Sequence, residues 1–101
     1  MTHSALVKWV PIAERFNHRM LPVRSRWIGL SRFEDDGPAW PDGAWSVEVT
    51  FDEPPAEACE RPMPARIRFW FDEAPQERIR PGVQFEIYEG LHKLADVDVL
   101  D

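Results

Sequence analysis

The sequence predicts an all-β fold of six short strands arranged as a sandwich or a small closed barrel. Several stretches alternate apolar and polar residues with a period of two, the mark of half-buried strands. No comparable stretch carries a helical signal. The links between strands are dense in Pro, Asp and Gly, and short strands joined in this way build sandwiches and barrels. At 101 residues the chain has material for one core and not for two, so residues 1–101 are expected to form a single domain.

The first strand is predicted over residues 5–12. Ala5, Val7 and Trp9 fall on one side and Leu6, Lys8 and Val10 on the other, and Pro11 ends it because proline has no N–H for a ladder. Residues 13–23 are mostly polar and basic and read as a long loop, with a short helix over 12–16 as an alternative. The second strand covers 24–31 around Trp27, Ile28 and Leu30, with Gly29 marking a bend or a close approach. Residues 34–43 are rich in turn formers, and Trp40 is expected to fold back from this loop as a lid on a barrel end or a sheet edge. The cleanest alternation follows over 44–51, with Trp45, Val47, Val49 and Phe51 facing in and Ser46, Glu48 and Thr50 facing out.

Residues 52–62 hold three prolines and three glutamates and form a solvated connection that contains Cys59. Over 63–71, Ala65, Ile67, Phe69 and Phe71 share one face and Arg66, Arg68 and Trp70 the other. Burial of each large apolar side chain there contributes roughly 1.5–3 kcal/mol. Residues 72–80 are polar. The Pro81-Gly82 turn then launches a strand in which Val83, Phe85 and Ile87 point one way and Gln84, Glu86 and Tyr88 the other. Glu89-Gly90 turns this strand into the last one, over 91–100. The segments 51–57 and 71–77 echo each other, each a phenylalanine followed by two acids and a proline-bearing link. Two strand exits with the same acidic chemistry explain the echo better than a cation site, because calcium loops need several ligands at fixed spacing around a glycine.

The net charge of −6 is unevenly spread. Residues 1–32 carry six basic groups against Glu14 alone, a net of +5; the rest carries six basic and seventeen acidic groups, a net of −11. An acidic whole argues against indiscriminate nucleic-acid binding, since phosphate is repelled at long range. A lone cysteine forms no internal disulfide and fits a reducing compartment. No apolar run approaches the ~20 residues that span a bilayer, and the first residues lack the basic patch and apolar core of a signal peptide. A cytoplasmic protein with no membrane association is expected.

The order of elements resembles the third, C-terminal domain of translation elongation factor Tu. The stretch from Arg80 to Gly90 looks like that domain's closing hairpin, where a Pro-Gly turn precedes a phenylalanine, an isoleucine and Glu-Gly. Residues 65–71, followed by an acidic link, fall in register with it, and His18, Arg26 and Arg32 coincide with a histidine and two arginines of the family pattern. The resemblance implies a six-stranded antiparallel Greek-key barrel, and partners in or near the translation machinery. The departures are specific. Arg15 and Phe16 replace glycines before the matched histidine, Leu91 replaces the second of a glycine pair, and Ala95, Asp96 and Val97 replace glycines of the final strand. Loss of those glycines removes close backbone approaches, so the fold carries over more readily than the family's contact with the T-stem of tRNA.

Catalysis finds no support in the residues. There is no Gly-rich phosphate loop, and His3, His18, His92 and Cys59 are too scattered for a metal-ligand pair, so neither metal nor cofactor is expected. Glu57 and Glu60 flank Cys59 and disfavour its thiolate. A non-enzymatic binding module is the expected function, with an unidentified protein as partner through Arg66, Arg68, Trp70 and Tyr88, an aromatic–arginine set of the kind enriched at interfaces. The alternative is tRNA or another structured RNA held by Arg15, His18, Arg19, Arg24, Arg26 and Arg32, which are interleaved with Phe16 and Trp27. An edge strand left open by incomplete barrel closure would permit a homodimer. RNA affinity carried by these arginines should fall steeply with salt and vanish in Arg19→Glu with Arg26→Glu, and a filter-binding titration in which that variant keeps its affinity would exclude the basic third as the site.

Overall fold

Strands form where side chains alternate, and each stops where proline, glycine or a run of acids removes the alternation. The computed structural model describes residues 2–10, 26–52 and 62–101. Its strands are β1 (His3–Trp9), β2 (Arg26–Phe33), β3 (Ser46–Phe51), β4 (Met63–Phe69), β5 (Gln84–Glu89) and β6 (His92–Val99). The only helical turn among the described residues is a 3₁₀ turn at Gln76–Arg78. The expected loop over 13–23, the alternative helix over 12–16 and the Cys59 connection lie outside the described residues.

The strands close into an antiparallel barrel in the order β1-β4-β3-β2-β5-β6, with β6 returning to β1. Three consecutive strands, β2, β3 and β4, are neighbours, and β5 crosses over to lie beside β2, which is the Greek-key arrangement. Closure is made by β1, which pairs with β4 from His3↔Ile67 to Val7↔Met63 and with β6 from Ala5↔Val99 to Trp9↔Ala95. Each described strand has a neighbour on both sides, so none is an edge strand of the kind that incomplete closure would leave.

Inward-facing residues fill the barrel as the alternation requires. Ala5, Val7 and Trp9 of β1, Val47, Val49 and Phe51 of β3, Ala65, Ile67 and Phe69 of β4, and Phe85 and Ile87 of β5 are all buried. One end is filled by Trp9, whose ring meets Trp27 at 5.8 Å and Phe51 at 5.6 Å. The Trp9 indole N–H is buried without an acceptor among the described residues, so packing alone holds the ring. The other end is filled by Phe33, stacked on Phe85 at 4.7 Å and covered by the Arg78 guanidinium at 4.3 Å.

Two local devices make this packing fit. A Cβ on Gly29 would lie 2.6 Å from the Ile87 side chain and 2.8 Å from the Trp27 ring, so the glycine admits the indole into the interior. At Leu94 a β-bulge interrupts the pairing of β5 with β6: Ile87 faces Ala95 while Tyr88 faces Lys93. Leu94 and Ala95 are both buried as a result, and Lys93 turns to the outer wall. The β5–β6 hairpin turns through Gly90-Leu91, and Gly90 has φ of 60°, as the first position of a two-residue hairpin loop demands.

Two expectations need correction. Phe71 is 47 % exposed and not part of the inward face, because β4 ends at Phe69 and the chain bends at Trp70. Trp40 does fold back, but onto the outer wall where β2 meets β5, with its ring 4.6 Å from Tyr88 and its Nε1–H donated to the Ser31 carbonyl at 2.9 Å. Gly29→Ala should cost about 1–3 kcal/mol, the usual range for overpacking a core; a urea-denaturation midpoint unchanged from wild type would show that Trp27 has another place to go.

Candidate functional site

The outer wall of β2, β3 and β4 gathers the polar residues of three alternating strands. Arg26 and Ile28 project from β2, Glu48 and Thr50 from β3, and Arg66 and Arg68 from β4, with Trp70 just past its end. The register sets Glu48 between Ile28 on one side and Arg68 on the other, and Thr50 between Arg26 and Arg66. Arg68 donates its Nε–H to Glu48 Oε1 at 2.7 Å, and Arg26 donates its own to Glu48 Oε2. The Trp70 ring completes the group, with the Arg26 guanidinium carbon 4.9 Å and that of Arg68 5.8 Å from its centroid. Arg66 binds Asp52 through both terminal nitrogens at 3.2 Å.

Glu48 is only 7 % exposed although it faces outward, because the two guanidinium groups cover it. The hydrogen bond from Arg68 holds its carboxyl below the ordinary value; desolvation opposes that shift, and the bond from Arg26 adds to it. The same bond raises the Arg68 guanidinium above its ordinary value. Two part-exposed apolar side chains lie at this ion cluster, Trp70 at 37 % exposed and Ile28, opposite Glu48, at 38 %; Phe71, exposed too, sets its ring 6.3 Å from Trp45. A charged core with an aromatic rim held by cation–π contacts gives the wall defined side-chain positions rather than a mobile fringe.

The predicted protein-binding set divides. Arg66, Arg68 and Trp70 lie together on this wall, and Arg26, expected for RNA, joins them. Tyr88 lies elsewhere, on the outer face of β5, in contact with Trp40 and with its hydroxyl 3.2 Å from Glu86. Arg32 belongs to that second group, its guanidinium 5.2 Å from the Trp40 ring. Arg26 and Arg32 therefore occupy different clusters, about 20 Å apart along β2 at 3.3 Å per residue. Arg15, His18, Arg19 and Arg24 lie outside the described residues, as does Phe16. Trp27, the other aromatic considered for stacking on a base, packs against the core instead.

An open groove of about 720 Å³ runs beside the second cluster, lined among others by Arg32, Glu34, Glu86, Asp96 and Asp98. It is acidic, and no group of three or more described His, Cys, Asp or Glu residues is arranged to hold a metal ion. Lys93 spans the wall here, 2.8 Å from Glu86 and 2.9 Å from Asp96. Its partial burial would lower its pKa, but the two carboxylates outweigh that and raise it. No helix among the described residues is long and apolar enough to cross a membrane.

The residue that sequence reasoning missed is Glu48. Alternation marked it as outward, and only the pairing of β3 with β4 reveals the arginine opposite. Comparison with protein-family models, with curated proteins and with solved structures finds no match. Because the folded pKa of Glu48 lies below the unfolded value of about 4.3, its stabilisation is present above that value and is lost as pH falls through the folded one. The stability gap between wild type and Glu48→Gln should be open at pH 7 and close in acid, as read by urea denaturation at a series of pH values; a gap independent of pH would mean the carboxylate's charge contributes nothing.

Proposed function

We propose that this barrel is a binding module, not an enzyme, and that it engages a protein partner through the wall formed by β2, β3 and β4. The observation that carries this reading is Trp70, a part-exposed indole held by two arginines, with exposed Ile28 on the same wall opposite Glu48. Tryptophan and arginine are enriched in binding hot spots, and here Glu48 and Trp70 already restrain the arginines that would otherwise lose freedom on binding. Charge favours a protein over RNA on this wall. Arg26, Arg66 and Arg68 are matched by Glu48, by Asp52 and by Asp72, whose charge also acts on Arg68, so the wall carries no net charge on a chain of net −6. That offers little to a polyphosphate, whose affinity rises with every phosphate neutralised.

The resemblance of residues 80–90 to the closing hairpin of the third domain of elongation factor Tu supports a partner in or near the translation machinery, and the single cysteine fits a cytoplasmic setting. The RNA reading retains one supporting fact, the +5 charge of residues 1–32. Arg26 serves both readings, so Arg19→Glu with Arg24→Glu is the cleaner probe of the RNA alternative.

Affinity capture from native lysate, with and without nuclease, separates the two. A nuclease-resistant protein should be recovered by wild type and by Arg19→Glu with Arg24→Glu. Trp70→Ala should weaken its capture by about 30-fold, the effect of a hot spot worth roughly 2 kcal/mol. Recovery of RNA alone, abolished by nuclease and unaffected at Trp70, would overturn the proposal.

A further inference from the structure

Two of the three arginines on the wall bind Glu48, each through its Nε. Arg26 and Arg68 each donate Nε–H, one to either oxygen of the carboxylate. A guanidinium has five N–H groups, so each arginine keeps the four on its terminal nitrogens, and these make no hydrogen bond among the described residues. Arg66 differs, because both of its terminal nitrogens are taken by Asp52. Glu48 thus fixes the inner side of two guanidinium groups and turns their outer, fork-shaped ends to solvent. The Trp70 ring restrains the same two groups from a second direction.

We infer that Arg26 and Arg68 form a receptor for a carboxylate, and that the partner presents an acidic side chain next to an apolar one. The inference rests on the protein-docking reading above and adds the chemistry of the partner. Terminal guanidinium nitrogens accept a carboxylate in a bidentate fork, and the bond is charge-assisted. The usual cost of ordering two long side chains for it is already met by Glu48 and Trp70. Ile28 and Trp70 supply the adjoining apolar contact. With Glu48 between them and Asp72 acting on Arg68, the two arginines have no surplus charge for a polyanion; what they offer is directed N–H groups, which suit a single carboxylate, whereas an RNA backbone brings a charge at every nucleotide to a chain of net −6.

The test uses three labelled probes: a short peptide with two glutamates around a leucine, the same peptide with glutamines in their place, and a single-stranded RNA of equal length. Binding to the full chain is followed by fluorescence anisotropy and, at millimolar concentration, by the Trp70 indole N–H signal in an ¹⁵N NMR spectrum. The glutamate peptide should bind about tenfold or more tighter than the glutamine peptide, the ratio for one charge-assisted hydrogen bond of roughly 1.4 kcal/mol. Arg68→Lys keeps the charge but loses the fork and the Nε donor, and should remove most of that preference. The inference is overturned by equal binding of the two peptides, by a preference that survives in Arg68→Lys, by tighter binding of the RNA, or by no movement of the Trp70 signal. In any of those cases a captured protein that still depends on Trp70 would leave the docking reading standing.

Discussion

Closure through β1 is the constraint on which the rest of the molecule depends. Six strands in a row would leave two edges and one half-covered face; β1 pairs on both of its sides and converts the row into a ring. The ring gives every inward side chain neighbours from across the interior, so small residues such as Ala5, Ala65 and Ala95 are as necessary as Trp9 and Phe33. It also gives every described strand a neighbour on each side, so none is a free edge strand.

What each wall carries is decided by register. On β2, β3 and β4 the pairing brings a carboxylate opposite an arginine and within reach of a second, and Asp72 offsets the charge that remains. On β5 and β6 it sets Glu86 directly opposite Asp96, two like charges that repel. The bulge at Leu94 resolves this by rephasing β6, so that Lys93 emerges on the same wall and bridges both acids. A single extra residue in one strand thereby serves the core, which gains Leu94, and the surface, which gains a cation where two anions meet.

The fold was legible because period-two alternation is a local property: Val47, Val49 and Phe51, or Phe85 and Ile87, announce their inward face from neighbours in sequence alone. Gly29 was legible for the same reason, since a glycine amid strand formers marks a close approach. The site was legible only in part. Arg66 and Arg68 lie on β4 and Trp70 just past its end, so their nearness follows from sequence alone. Arg26 and Glu48 come from two other strands, and their place beside them follows from pairing, which alternation does not specify. Tyr88 was misgrouped by the converse error: it shares a chemistry with Trp70 but sits three strands away around the ring.

Glu48 binds the two arginines of the proposed receptor and at the same time ties β2 to β4 across β3. Recognition and fold stability draw on one cluster, so evolution cannot adjust them separately there. A substitution that removes the carboxylate loosens the barrel wall and also releases the two guanidinium groups from the positions in which their outer ends face solvent. Variation at this surface is therefore expected to move affinity and stability together.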